Sequence, residues 1–500
     1  MFATPAKCWI PGQRPSRALV QEGEWAPVLA DKKTMIQIDQ EHPDYRRLAP
    51  IWAMYRDLYA GGQQFKTRAV NYLTRRQKEP LDVFAERLAR AFYQNYIGSI
   101  VDWYASTLFH REPSLQYDGG SESGRKFLSE LQGNCDRRGT TLSAFFQEAF
   151  RNALVVGRTH ILIDFPRAAS APSNRAEEDA NGLSRAFLIA FQGQDLINWS
   201  KDEAGCYEWL VLRTRVDRQP DANSPGRIAE TIWRYYDRTS YKLFRRVEGG
   251  EQNGAIELLG EGPHALSNQN RVPVLDLEAN DSYWLMNKAA QLQLEHFNKS
   301  NALGWAITMG LFAMPVIYSE RAWNQIVGES YFIQLAPGDR FGWAEPDGKV
   351  HQIAAAHLET LKEEIYRVCY LSQASGEDAG GHAQSALSKQ LDFQLTQEVL
   401  RAYGVWVKGT MRKVLAAIVA ARQDDVEVVI TGMDELDISD FASELQQATN
   451  LLALGIQSAT FKQQVFERLA LKYLSDVRQE TKDQIVAEIG AQIKSQLEKS

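Results

Sequence analysis

Cysteine is scarce. The 500 residues contain four, Cys8, Cys135, Cys206 and Cys369, far apart and in no Cys-x-x-Cys or Cys/His cluster. That spacing excludes a zinc finger or ribbon and leads us to expect free thiols, as in a reducing cytosol. An excess of positive charge is missing too: 63 Asp and Glu against 56 Lys and Arg give a formal net charge of −7. A large basic face for gripping nucleic acid is therefore excluded; a channel along which a duplex slides needs no such face. Long apolar runs are also missing, with one stretch to weigh. Nothing charged lies between Lys299 and Glu320, a length close to the roughly 20 residues that cross a bilayer. The stretch contains Asn301, Gly304, Thr308, Gly310 and Pro315, and its flanks, Lys299 against Glu320 and Arg321, set no orientation. We read it as a helix end followed by a short buried strand, "FAMPVIY", and not as a membrane span. The first 20 residues hold three prolines and no continuous apolar segment, which is not the pattern of a secretory signal.

Catalytic signatures are missing as well. There is no GxxxxGK[ST] loop, no HExxH, no GxGxxG after a strand and no GxSxG elbow. His351 and His357 stand six apart, which on a helix puts them on different faces and not around one ion. Glu363-Glu364 reads as a solvated helix face. The loop "GEDAGGH" holds acids and a histidine, but a mobile loop holds catalytic geometry poorly. The expectation is no enzyme, no cofactor and no metal.

What is present is ordinary in bulk and patterned in detail. A hydrophobic fraction of 44% and a charged fraction of 24% are those of a globular protein, and the length allows two to four domains at roughly 100–200 residues each. Residues 1–40 read as an extended arm. Tyr45, Leu48, Trp52, Tyr55 and Tyr59 recur at helical steps, and Gly61-Gly62 ends that element. Phe84, Leu88, Ala91 and Phe92 form one stripe and Ile97, Ile100, Val101, Tyr104 and Leu108 the next, with a helix break expected at Gly98. A helix from about 141 leads to the strand "THILIDFP". After a polar loop at 166–183, five strands from "AFLIAFQ" to "YKLFRRV" alternate aromatic and β-branched residues with charges, as in a half-buried mixed sheet. A Gly-rich loop at 249–270 precedes "VPVLDLE". From Asp281 the pattern turns helical (Met286, Ala290, Leu294, Phe297). A short mixed segment, 311–353, carries strands near "PVIYS" and "YFIQL". A second helix follows, with Leu358, Leu361, Ile365, Val368 and Leu371 on one face and Glu359, Lys362, Glu363 and Arg367 on the other. A small-residue loop, "ASGEDAGGHAQSA", feeds a helical pattern from Ser385 to Arg422, broken at Gly404 and Gly409. The strand "VEVVITG" and a helical C-terminal region follow. The fold class expected is α+β, with no fixed-period repeat.

This order of elements resembles the portal proteins of tailed bacteriophages. Local matches to a portal-like phage family, first named as being of undetermined function, support it: "HPDYRRLAPIWAMYRDLYAG", "YLTRRQKEPLDVFAERLARAFYQNYIGSIVDWYASTLFHREPSL", "THILIDFP" and "DLINWS". The resemblance spans about 44 to 470; the arm and the 166–183 loop match nothing. It implies a ring of about twelve subunits at one capsid vertex. Double-stranded DNA would enter through the ring under the terminase large subunit and leave at infection. Further implied partners are a head–tail adaptor and the major capsid and scaffolding proteins, with no membrane. The location implied is the virion, and the host cytoplasm during assembly.

Mapped onto this chain, the resemblance implies a wing at 41–280 joined by a return strand at 426–432. Stem helices would lie at 281–310 and 354–373, a clip at 311–353, a tunnel loop at 374–386, a long kinked helix within 387–433 and a crown at 434–500. Glu377, Asp378, His382 and Gln384 would face DNA from the tunnel loop. Lys288, Lys299, Lys362 and Arg367 would be the candidate phosphate contacts. Glu320, Arg321, Trp323, Asn324, Asp339, Arg340, Asp347 and Lys349 would dock partners at the clip. Trp305, Ile307, Met309, Leu311, Phe312 and Met314 would form the subunit interface. Two other readings stay open here: a different ring or adaptor protein of the head–tail connector, and a cytoplasmic enzyme with an unfamiliar motif.

Overall fold

A computed structural model describes residues 38–110, 112–166, 177, 181–219, 227–248, 256–310, 314–320, 335, 337–344, 348–371, 386–433, 441–453, 458–473 and 479–497. It is a mixed helix-and-sheet protein, in keeping with the α+β expectation. In chain order the main elements begin with helices α1 (Pro43–Ala60), α2 (Gly62–Arg68), α3 (Leu81–Arg90) and α4 (Tyr96–Leu108), strand β1 (Ser114–Gly119), and helices α5 (Glu122–Gly133) and α6 (Leu142–Val156). Strands β2 (Arg158–Asp164), β3 (Phe187–Gln192), β4 (Leu196–Lys201), β5 (Tyr207–Arg218), β6 (Ile228–Asp237), β7 (Ser240–Glu248), β8 (Ile256–Pro263) and β9 (Val274–Glu278) follow. Then come α7 (Leu285–Gly310), β10 (Met314–Tyr318), β11 (Arg340–Ala344), α8 (Gly348–Val368), α9 (Ala386–Arg422), β12 (Val426–Thr431), α10 (Phe441–Ala453), α11 (Ala459–Tyr473) and α12 (Gln479–Leu497).

The chain divides into two units. One takes the described residues of Met1–Ala53, Asp102–Trp284 and Gln394–Ser500; the other takes those of Met54–Val101 and Leu285–Phe393.

The first unit is built on two antiparallel sheets and a two-stranded ribbon. Strands β3-β2-β9 form one sheet and β4-β5-β6-β7-β8 a meander, so the mixed sheet expected from the sequence resolves into antiparallel parts. Leu162, Phe191, Leu196, Leu210, Leu212 and Val274 close a core between them. The loop expected at 249–270 contains β8, whose two glycines, Gly260 and Gly262, sit opposite Leu243 and Tyr241 of β7. Pairing with a strand already in place overrides their low strand propensity. The ribbon pairs β1 with β12, bringing Ser114 opposite Thr431. Helix α6 starts at Thr141, whose hydroxyl accepts from the Ala144 amide at 3.2 Å, and stops at Gly157, φ +84°. A Cβ at Gly157 would also lie 3.0 Å from the Trp284 indole, so space and backbone both require glycine there.

Helix α9 runs unbroken through Gly404 and Gly409, correcting the expected interruptions. Its buried stripe (Leu400, Tyr403, Val407, Met411, Val414, Ile418) explains why: packing on one face outweighs a helix cost of about 1 kcal/mol per glycine. The cysteine expectation holds for Cys135 and Cys369, which are free and buried. It does not hold for Cys206, which is disulfide-bonded; separation along a chain does not limit approach in space. Cys8 lies outside the described residues.

Candidate functional site

The second unit holds the helix pair and hairpin on which the functional reading turns. Helix α7 has 26 residues, about 39 Å at 1.5 Å per residue. At its end β10 pairs antiparallel with β11, from Met314 opposite Ala344 to Tyr318 opposite Arg340. Helix α8 then returns along α7. The pairings give the direction: Lys288 donates to the Tyr370 hydroxyl and lies 4.2 Å from its ring centre, while His296 senses the charges of Glu359 and Lys362. As one number rises the other falls, so the two helices are antiparallel.

The buried face of α7 changes character along its length. Near its start it is Leu285, Met286, Ala289 and Ala290; further on it is Gln293, His296, Phe297, Ser300 and Asn301. Three amides there bind the backbone of an earlier segment. Gln293 Oε1 accepts from the Tyr96 and Ile97 amides at 3.2 and 3.3 Å, and its Nε2 donates to the Gln94 carbonyl at 2.8 Å. Asn301 accepts from the Phe92 amide and donates back to the Phe92 carbonyl, both at 3.0 Å. Asn298 accepts from the Thr74 amide at 2.8 Å and donates to the Tyr72 carbonyl at 3.1 Å. A side-chain amide carries donor and acceptor together and can satisfy a peptide group as another strand would. This holds residues 91–95 outside any helix, so the break falls there and not at Gly98. Gly98 lies inside α4, where Asn95 Oδ1 accepts its amide at 2.9 Å and a Cβ would meet Asn95 and the Tyr59 carbonyl at 2.5–2.7 Å.

Ion pairs and rings fix the same segment. Arg87 and Glu79 are buried against each other, with two bonds of 2.9 Å. The Asp57 carboxylate, 1% exposed, accepts from Arg68 at 2.9 Å, the Tyr72 hydroxyl at 2.6 Å and Gln64 at 3.2 Å. Phe65 stacks between Tyr93 and Tyr72 at 4.0 and 5.3 Å and meets Phe297 edge-on at 5.0 Å.

Beyond Asn301 the pattern is different. Trp305 is partly buried, with the Arg90 guanidinium 5.9 Å from its ring, but Ile307 is 41% exposed. At the same level of the pair, Val350 and Ile353 of α8 are 65% and 70% exposed, and Tyr318 of the hairpin is 66% exposed. The strand expected to be buried is thus open to solvent at Tyr318.

The four candidate phosphate contacts each have a partner inside the chain. Lys288 binds Tyr370; Lys299 pairs with Glu295 at 3.4 Å, Lys362 with Glu359 at 2.8 Å and Arg367 with Glu364 at 2.5 Å. Of the clip candidates, Glu320, Arg340 and Lys349 are exposed and Asp339 is partly buried; Arg321, Trp323, Asn324 and Asp347 lie outside the described residues. So do Glu377, Asp378, His382 and Gln384 of the small-residue loop, and Leu311 and Phe312. Met309 lies in α7 and Met314 in β10, but neither side chain is described. Val350, Ile353 and the three α7 amides are not among the site residues expected from sequence, Asn301 being noted there only as a polar residue of the uncharged run. The amides carry a signal: Gln293, Phe297 and Asn301 fall on the same stripe as Met286 and Ala290.

The first unit holds a buried polar cluster of its own. His160 and Asp276 are opposed in the β2–β9 ladder, 2.7 Å apart, and the Tyr207 hydroxyl donates to Asp276 at 2.6 Å. Burial alone would raise the Asp276 carboxyl; His160, Lys201 and Tyr207 hold it at about 2. His160 is wholly buried, which gives a substrate no approach; the Tyr207 bond to Asp276 is what ties this sheet to the meander. A cleft of 510 Å³ is lined by Glu278, Asn280, Tyr283, Arg401, Val405 and Trp406, among others. No group of three metal-ligating side chains occurs among the described residues, and among them no helix is long and apolar enough to cross a membrane.

No family model matches the chain, and no curated protein matches it. Solved structures do. A chain from the neck of an empty GTA particle, computed with C6 symmetry, is 16% identical over 73% of this chain and 88% of its own, with a TM-score of 0.39. A chain from the virion of a native gene transfer agent particle is 15% identical over 78% and 94%, with a TM-score of 0.36. One from the neck of a native GTA particle, computed with C12 symmetry, is 14% identical over 71% and 84%, with a TM-score of 0.34.

Proposed function

We propose that this chain is a phage portal protein. It forms a ring of about twelve copies at one capsid vertex, passes double-stranded DNA inward under a terminase and outward at infection, and connects head to tail. One observation carries the reading: the exposed apolar side chains at the hairpin end of the α7–α8 pair. Ile307, within the 300–319 run that holds no charge, and Val350 and Ile353 of α8 expose their side chains. An exposed apolar patch of this kind marks an interaction surface, and a ring in which each copy covers its neighbour's flank buries it.

The cations of the pair fit a duplex that slides. Lys299, Lys362 and Arg367 each have an acid on their own helix, so few counterions are released on contact and DNA is held weakly. In this reading the hairpin insert, with Glu320, Arg340 and Lys349 exposed, docks the terminase and then the adaptor. The work of translocation comes from that separate motor. Native mass spectrometry tests the reading: one closed oligomer of defined copy number is expected, and a monomer at every concentration contradicts it.

A further inference from the structure

The outer face of the meander carries aromatic side chains that open water would not cover. Directly opposed residues of antiparallel strands share a side. Arg213 stands opposite Trp233, Trp233 opposite Phe244, and Val211 opposite Tyr235. Leu210, Leu212 and Tyr236 alternate with these and belong to the core shared with β3-β2-β9. On the side turned away from that core, Trp233 is wholly buried and Phe244 and Val211 nearly so. Towards the β4–β5 turn, Trp209 and Tyr235 stack at 6.4 Å and are half-buried. The chain enters on this same side. Ile38 is buried, and Asp39 accepts from the Trp233 indole at 3.2 Å and pairs with Arg213 and Arg246 at 3.4 and 3.8 Å. Residues 1–37, outside the described residues, carry Trp9, Ile10, Val20, Trp25, Val28 and Leu29 in sequence.

An independent observation marks the other end of the face. Cys206 closes the β4–β5 turn. Its amide binds the Asp202 carboxylate at 2.9 Å, its carbonyl accepts from the Asp202 amide at 2.9 Å, and Gly205 turns the backbone at φ +78°. Cys206 is disulfide-bonded. The chain has four cysteines, of which Cys135 and Cys369 are free, so Cys8 is the thiol left in the chain to bond it. From Arg213 back to Cys206 is about 23 Å at strand spacing. The segment between Cys8 and Asp39 reaches roughly 100 Å when extended. It crosses the face with length to spare.

We propose that residues 1–37 dock across the outer face of their own chain's meander and are held there by a Cys8–Cys206 bond, which places the docked arm under redox control. The seat is on its own chain because Asp39 already lies on that face, and the arm needs no neighbour to reach Cys206. The bond closes when the two thiols give up two protons and two electrons to a small disulfide oxidant, which leaves as two thiols. Excess thiol runs the exchange backwards. In a reducing cytosol the arm is released, and in oxidising surroundings it is fastened. A single copy suffices, so this inference does not rest on the ring reading.

The test uses the full chain, equilibrated with oxidised glutathione or with excess dithiothreitol. After alkylation, tryptic mapping of the oxidised chain should join peptide 8–17 to peptide 202–213. Unlabelled and isotope-labelled chains mixed before oxidation should give joined peptides of one label only. Brief trypsin treatment of the folded protein should cut after Arg17, Lys32 and Lys33 about tenfold faster in Cys206→Ser than in oxidised wild type, because the arm opens more often. Trp209→Ser should form the bond and still be cut faster, since the arm loses part of its seat. Cys206 recovered as a free alkylated thiol from the oxidised chain overturns the proposal. Joined peptides of mixed label give the arm to a second copy and overturn the own-chain seat. The expected bond with cutting unchanged in both variants is a tether with nothing beneath it, and overturns the docking.

Discussion

At the residue scale the second unit depends on polar side chains that have no freedom to change. Glu79 and Arg87 share two bonds in the interior, and Arg87→Met leaves a buried carboxylate unpaired. The expected loss is about 3–5 kcal/mol, the usual cost of breaking such a pair from one side, read by urea denaturation. His296 is the second case. It is 3% exposed, its Nδ1 has no partner, and burial pushes its pKa below the ordinary 6.5. The unfolded chain then binds the proton more readily than the folded one, so stability is present above pH 6.5 and falls as pH drops below it. Across the helix pair Glu359 opposes that shift and Lys362 reinforces it. A melting series from pH 8 to 5 should show a smaller loss for His296→Gln than for wild type; equal losses would assign the effect elsewhere, for instance to His264, whose pKa burial also lowers.

Elements were legible from the sequence where a stripe is apolar throughout. Ile97, Ile100, Val101, Tyr104 and Leu108 read as one helix face, and all are buried. Legibility failed where a side chain substitutes for backbone. The α3–α4 break at 91–95 is set by Asn301 and Gln293, some 200 residues away, and no local pattern reports it. Strand β8 was hidden because its glycines read as loop, and the free-thiol reading of Cys206 failed because pairing is a matter of space. At the candidate site the charge-free run was visible, but the α8 half of the apolar surface was not. Val350 and Ile353 look like core residues in a sequence and prove exposed. Placing a charge there separates the two roles: Ile353→Glu should leave the protomer's melting temperature within about 1 °C, as for an exposed site, and abolish ring formation in size-exclusion chromatography. Loss of the fold instead would make Ile353 a core residue after all.

For the whole molecule, the proposal is a ring that holds DNA weakly. The balance of charge matters more than any one contact. Glu377 and Asp378 lie in the small-residue loop outside the described residues, and the resemblance assigns that loop to the channel. Replacing both with Lys should leave rings intact but slow packaging and ejection, more so at low salt, where screening is weak. Normal rates at low salt would remove that loop from the channel.

The ring itself is tested most directly by negative-stain electron microscopy of the purified full chain. The account predicts particles with a central hole, about twelve subunits around it and a narrow stalk formed by the α7–α8 pairs. Isolated globules at every concentration, with no perforated ring, would contradict it.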